Sequence, residues 1–281
     1  MGLRTWLTRK TGINFKSIAD KHRNALSEIA SKRMDFLLEA DTTQVIALGA
    51  SHGANAFYSS VLRKKAFNLC SSNQDLFYSY YIYNRNRELM TSLETVVLFF
   101  GVFSFGAYVR KSSRKELCAV YKYCYDIDWE EDAYSALYLE LLGAFEGKYP
   151  LSRFQGKTSL GYIKPKVFYF SEKAVEERVK NHMRMYAYGR EPMEYLYKLL
   201  NECKVNNHKL LIVLSPTQKS YFDLVPRGIF KELSRLADEY EHVEVVNLFD
   251  SSPFLDSDFG DCDHMNVKGA EKLSKLLNNF V

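Results

Sequence analysis

Ser51 stands in the stretch Gly49-Ala50-Ser51-His52-Gly53, directly after the apolar run Val45-Ile46-Ala47-Leu48. A run of that length and β-branched content reads as a buried strand, and the small residues after it read as a break. Such a break puts a polar side chain at the carboxyl end of a sheet, the edge where open α/β sheets do their chemistry. A serine hydroxyl is a weak nucleophile at its free pKa and needs a base, with an acid to orient that base. Far along the chain, Asp261-Cys262-Asp263-His264 offers both. An aspartate three residues before a histidine on one turn reaches its Nδ1, fixes the tautomer and leaves Nε2 for the serine. Blander roles compete: Ser51 as a helix N-cap, His264 as a structural histidine on a carbonyl. His52 is the rival base, although neighbouring serine and histidine side chains usually diverge. Asp258 and Asp263 are the rival acids, Asp263 with the poorer reach and Asp258 six residues away.

These groups need a scaffold. Strands are predicted over Gln44–Gly49, Ala66–Leu69, Glu94–Gly101, Lys209–Leu214 and Val243–Leu248. Helical patterns fall between them, at about Asn55–Lys64, near Tyr78-Tyr81-Ile82, at Pro192–Lys204 and Phe230–Tyr240, and a last one at Val267–Leu277. Alternating strand and helix implies a parallel sheet with right-handed crossovers. Residues 1–40 read as a basic lead and a helix striped by Ile18, Ala25, Ile29, Met34 and Leu37, packed on the domain edge. Its second reading is a membrane-surface or partner helix. Residues 41–281 form the catalytic domain. Within it, 107–190 is too long for an ordinary connection and reads as an insertion over the active edge, helical near Asp132–Phe145 and Glu172–Met185.

The 281 residues suffice for one large α/β domain. A formal charge of +4 is too mild to argue for nucleic acid. Five scattered cysteines without a CxxC pair argue against a zinc site or a disulfide framework and fit reduced thiols. No metal is expected. No secretory pattern is visible, so the chain is expected in the cytoplasm or at the inner face of the membrane.

A serine after the first strand with Asp-x-x-His near the other end resembles the SGNH (GDSL-like) hydrolase superfamily. Gly49-x-Ser51-x-Gly53 also matches the nucleophile elbow of α/β-hydrolases. The first-strand position and the three-residue spacing favour SGNH. The resemblance implies a three-layer α/β/α sandwich with about five parallel strands and the triad Ser51, Asp261, His264. It also implies an oxyanion hole from the Ser51 N–H, a glycine after strand two and an asparagine after strand three. The glycine position falls at Ser71 or Ser72. The asparagine position falls in Gly101-Val102-Phe103-Ser104, where Ser104 is the substitute.

Asp75-Leu76-Phe77-Tyr78-Ser79-Tyr80, Ser215-Pro216-Thr217-Gln218-Lys219-Ser220-Tyr221 and His264-Met265-Asn266 with Gly269-Ala270 are similar to a divergent SGNH branch. That branch modifies bacterial surface polysaccharides. The resemblance implies O-acetyl transfer from acetyl-CoA to a sugar hydroxyl, with a carbohydrate or small-ester esterase as the alternative. A non-catalytic carbohydrate-binding protein is the third reading. His52, Gln74, Thr217, Lys219 and Tyr162 are the candidate substrate contacts. Tyr162, Phe168, Tyr169 and Arg184–Arg190 are the candidate lid that keeps water from an acyl-serine.

Overall fold

A computed structural model describes residues 22–112, 114–128, 136–165, 171–249 and 253–281. The elements run α1 (Arg23–Phe36), β1 (Val45–Gly49), α2 (Ser51–Ala56), β2 (Ala66–Asn68), α3 (Leu76–Asn86), β3 (Thr95–Phe100), α4 (Lys115–Tyr125), α5 (Ala136–Lys148), α6 (Glu172–Ala187), α7 (Met193–Val205), β4 (Lys209–Leu214), α8 (Lys219–Phe222), α9 (Lys231–Glu239), β5 (Val243–Asn247) and α10 (Val267–Leu277). The chain divides into two compact units, 1–35 with 109–157, and 36–108 with 158–281. The stretch 107–190, expected as one insertion, is therefore split near 157.

In the larger unit the five strands form one parallel sheet in the order β2-β1-β3-β4-β5. β1 and β3 are buried along their whole length, and so is β4 after Lys209. That is why they read as unbroken apolar runs, as parallel strands covered on both faces do. The pleat sends alternate side chains to opposite faces. Val45, Ala47, Val97, Phe99, Leu211 and Val213 join a core with Ala54, Ala56, Leu273 and Leu277 of α2 and α10. The intervening Ile46, Leu48, Val96, Leu98, Leu210 and Ile212 are equally buried. α3 packs on β1 and on α7, and α7 on β4. The result is a three-layer α/β/α sandwich. The chain steps from β1 outward to β2 and then back across to β3, so a crevice opens at the carboxyl ends of β1 and β3.

The loop after β1 depends on two glycines. Gly49 has φ +129°, and a Cβ there would lie 2.6 Å from the Phe99 carbonyl oxygen. A Cβ on Gly53 would lie 2.5 Å from Cys70 Sγ and 2.7 Å from the Phe99 ring. The second glycine thus lets α2 lie close against β3. α2 starts at Ser51 itself and stops at Ala56, not over Asn55–Lys64 as expected; a 3-10 turn follows at Ser59–Val61. The cause is Asn68 at the end of β2. Its Nδ2 donates to the Gly53 and Phe57 carbonyls at 3.1 and 2.8 Å, and its Oδ1 accepts from Cys70 N–H at 3.0 Å.

In the smaller unit the buried stripe of α1 is Leu26, Ile29, Ala30 and Phe36, the last already counted with the sheet unit. Leu37, expected in the stripe, is exposed and lies beyond the helix, and Ile18 lies outside the described residues. The Asp35 carboxylate accepts from Lys157 N–H at 3.1 Å and from Gly156 N–H. α4 was not expected, although Leu117, Val120, Tyr121 and Cys124 recur at helical spacing and are buried. No described helix is long and apolar enough to cross a membrane.

Candidate active site

Ser51 is the first residue of α2, half-buried at the carboxyl end of β1. Its Oγ lies 2.7 Å from His264 Nε2. On the opposite side of the ring, His264 Nδ1 lies 2.8 Å from Asp261 Oδ2 and 3.0 Å from Oδ1. The loop shapes its own acid. Asp261 Oδ1 also accepts the backbone N–H groups of Asp263 (3.0 Å) and His264 (2.8 Å), which curls the chain so that the ring falls on the carboxylate. Asn266 then caps α10 by accepting from Lys268 and Gly269 N–H, while its amide donates to the Ser257 and Phe259 carbonyls. Gly260 N–H donates to the His264 carbonyl at 2.8 Å, and Gln218 N–H to the Cys262 carbonyl at 2.9 Å. The loop is tied on both sides, so His264 is held where α2 presents Ser51.

Asp263 was set aside on grounds of reach, yet its Oδ1 lies 3.2 Å from His264 Nδ1. Its side chain is fully buried, and its Oδ2 lies 3.1 Å from His52 Nε2 and 3.8 Å from His182 Nδ1. His182 Nδ1 in turn lies 2.7 Å from the Tyr221 hydroxyl. Arg178 faces both carboxylates, 3.7 Å from Asp261 and 3.9 Å from Asp263. Arg178 and His182 are four apart on α6, on the face that also buries Val175 and Val179. A cation and a histidine beside an apolar stripe was the only sequence signal for them.

Burial alone would push the His264 pKa down, but the Asp263 charge, the ring's hydrogen bonds to both carboxylates and the Asp261 charge raise it to about 9. Burial pushes His52 down against the pull of Asp263, and pushes His182 down to about 3. Burial would raise Asp263, but the His264 charge and the histidine hydrogen bonds hold it well below the usual carboxylate range. Burial pushes the Cys262 thiol up to about 12, so it stays protonated and is no rival nucleophile. Donor atoms of His52, Asp263 and His264 lie within 4.8 Å of one another, and so do those of Asp261, Cys262 and Asp263. Hydrogen bonds already join these side chains, and no metal-ligand role is assigned to them.

The other site candidates fall less well. Ser71 N–H already donates to the Gly49 carbonyl at 3.1 Å. Ser104 N–H donates to the Gly101 carbonyl, and Ser104 Oγ accepts from Gly101 N–H at 3.0 Å. The Ser71 and Ser104 N–H groups are thus already paired, the first to the end of β1 and the second within its own turn, while the Ser104 hydroxyl accepts a bond and keeps its own hydrogen to donate. Ser72 is half-buried in the turn after β2. In the segment after β3 where the resemblance would place an asparagine, the Phe103 ring packs 5.1 Å from His52 and 4.9 Å from His182.

His52 is buried and bonded to Asp263, not placed toward solvent for a substrate. Gln74 is buried; turned so that both amide ends are satisfied, it accepts from Gly49 N–H at 3.2 Å and donates to the Leu69 carbonyl at 3.0 Å. It braces the strand end. Thr217 is buried after β4, with no hydrogen bond to its Oγ1. Lys219 projects into solvent and pairs with Asp223. Tyr162 is buried in the core, stacked on Tyr58 at 4.4 Å, so it is not a lid residue. Phe168 and Tyr169 lie outside the described residues. Arg190, from the lid candidate Arg184–Arg190, pairs with Glu232. Asp258, the distant rival acid, accepts from Leu255 N–H and faces Lys268 and Lys272, bracing the approach to α10.

No family model matches the chain, and no curated protein matches it. Among solved structures, it is similar to a chain from Streptococcus pneumonia whose name refers to platelet activating factor. The two share 10% identity over 95% of this chain and 99% of that one, with a TM-score of 0.44.

Proposed function

We propose that the chain is a serine-dependent acyl-ester enzyme working through an acyl-serine at Ser51. The observation that carries this reading is the 2.7 Å contact of Ser51 Oγ with His264 Nε2, backed by Asp261 at 2.8 Å on Nδ1. In the reaction, neutral His264 takes the Ser51 proton at Nε2 as Oγ attacks the ester carbonyl. The Nδ1–H bond to Asp261 holds the ring in the right tautomer and steadies the imidazolium. The tetrahedral intermediate collapses, the bond to the leaving group breaks, and Nε2 delivers the proton to that group. The acyl-serine is then attacked by a second hydroxyl along the reverse path. The Ser51 N–H is the oxyanion donor that this reading retains.

In the full reaction the donor is acetyl-CoA and the acceptor a hydroxyl of a bacterial surface polysaccharide, following the resemblance to polysaccharide O-acetyltransferases. The second reading, hydrolysis with water as acceptor, draws support from Tyr162 and Lys219. Both were expected at the acceptor or donor; one lies in the core and the other in solvent. One experiment separates the readings. Purified protein is given p-nitrophenyl acetate or acetyl-CoA, with and without polysaccharide, and the acceptor is weighed by mass spectrometry beside free product. A Ser51-dependent gain of acetyl on the polysaccharide supports transfer. Ser51-dependent release without any gain supports an esterase. Equal release by Ser51→Ala refutes the acyl-serine, and release no faster than in buffer by wild type leaves a binding protein.

A further inference from the structure

We infer that Asp263 is a second acid for His264, a positioning residue whose buried carboxylate accepts the Nδ1 proton beside Asp261 and steadies the imidazolium formed when Ser51 is deprotonated. The inference rests on the acyl-serine reading above. A serine–histidine site ordinarily works with one carboxylate. Here two converge on one ring nitrogen, at 2.8 Å (Asp261 Oδ2) and 3.2 Å (Asp263 Oδ1). Asp261 divides itself between the ring and two backbone N–H groups. Asp263 has a different set of partners, all of them side chains of the buried cluster.

A fully buried carboxylate is costly unless it is paired. His52 holds one side of it. A Cβ on Gly101 would stand 2.8 Å from His52 Nδ1, and that nitrogen meets no hydrogen-bond partner. Its proton therefore sits on Nε2, donated to Asp263 Oδ2 at 3.1 Å. The Tyr221 hydroxyl, whose pKa burial raises, stays protonated and donates to His182 Nδ1. Both outer histidines are thus neutral, in line with their lowered pKa values. The Cys262 thiol beside Asp263 is neutral as well. Among the described residues of this cluster, what remains charged is two carboxylates and Arg178. The count balances when His264 carries a proton, which is the state reached as Oγ attacks. The same arrangement makes the resting ring hard to deprotonate, consistent with its value of about 9.

The test is an NMR titration of the His264 ring in wild-type, Asp263→Asn and Asp261→Asn protein, run beside kcat/KM against pH on p-nitrophenyl acetate. Wild-type His264 is expected to titrate near 9. In Asp263→Asn the midpoint falls by about 1 to 3 pH units, and the acid limb of kcat/KM moves down with it. In Asp261→Asn the ring still titrates above the ordinary 6.5, because Asp263 remains. Activity there drops about 100-fold, against about 10⁴-fold for a site with a single acid, and the double variant loses the rest. Should Asp263→Asn not fold, the wild-type and Asp261→Asn midpoints decide alone. Wild-type titration at or below 6.5, an unmoved midpoint in Asp263→Asn, or an Asp261→Asn ring at or below 6.5 overturns the inference. Because the ring titration needs no turnover, it reads Asp263 even if Ser51→Ala keeps activity and the acyl-serine reading falls.

Discussion

Replacing Asn68 with leucine would remove the clamp that ends α2 and fixes where Ser51 sits. The side chain is fully buried and bonds the Gly53 and Phe57 carbonyls and the Cys70 N–H at 3.1, 2.8 and 3.0 Å. Gly53 keeps a second partner, the Phe57 N–H at 2.9 Å. The Phe57 carbonyl and the Cys70 N–H lose these bonds in surroundings closed to water. A buried backbone group left without its partner costs about 1–3 kcal/mol, so two cost about 2–6 kcal/mol. In a chain of this size each kcal/mol moves Tm by about 2–4 °C, which gives a fall of roughly 10 °C for a mid-range loss. Differential scanning calorimetry reads the fall, and a Ser51-dependent ester assay at low temperature reads the displacement. A decrease in both is expected. A Tm within about 2 °C of wild type would refute the clamp, because two unpaired groups together cost at least about 4 °C.

Further outcomes follow from the same contacts. Tyr162→Phe removes a buried hydroxyl with no partner while keeping the stack on Tyr58, so urea unfolding should show equal stability or a gain of about 1 kcal/mol, with activity intact. A loss of either would return Tyr162 to the site. Lys219→Ala should leave kcat/KM unchanged with every donor, since the ammonium stands in solvent on Asp223; a raised KM for acetyl-CoA would contradict that. Burial would raise the Asp258 pKa, but Leu255 N–H, Lys272 and Lys268 hold it below 3.8. A depressed folded value means that its stabilisation is present above the unfolded value and lost as pH falls through the folded one. Asp258→Asn should therefore be less stable than wild type at pH 7, and the gap should close in strong acid while activity at neutral pH persists. A gap that is flat with pH would refute the ionic role.

The strands were legible because each is an apolar run ended by small or polar residues, and burial on both faces leaves no polar interruption in β1 or β3. Their spatial order was not legible, since nothing local in Ala66–Asn68 says that it is an edge. Ser51, Asp261 and His264 could be found because the acid and base share one turn, which spacing encodes. Asp263 could not be weighed correctly, because its principal partner, His52, lies 211 residues away. The backbone pairing of Ser71 and Ser104 was not legible, since Ser71 N–H bonds back to Gly49 on another strand and Ser104 Oγ accepts from Gly101 N–H. Tyr162 looked like a lid residue in an aromatic insertion, but aromatic content does not distinguish a stack in the core from a face over a ligand. The end of α2 depended on a side chain from the next strand, which no helical pattern within 51–64 contains.

The central claim, that Ser51 is a nucleophile driven by His264, is tested most directly by a fluorophosphonate. This reagent reacts far faster with an activated serine than with an ordinary hydroxyl. Intact mass and peptide mapping should show one adduct on wild-type protein, located at Ser51. His264→Ala should react slower by about 10³-fold or more, because the proton at Oγ then has no acceptor. An adduct at another residue, or His264→Ala labelling at the wild-type rate, would contradict the account.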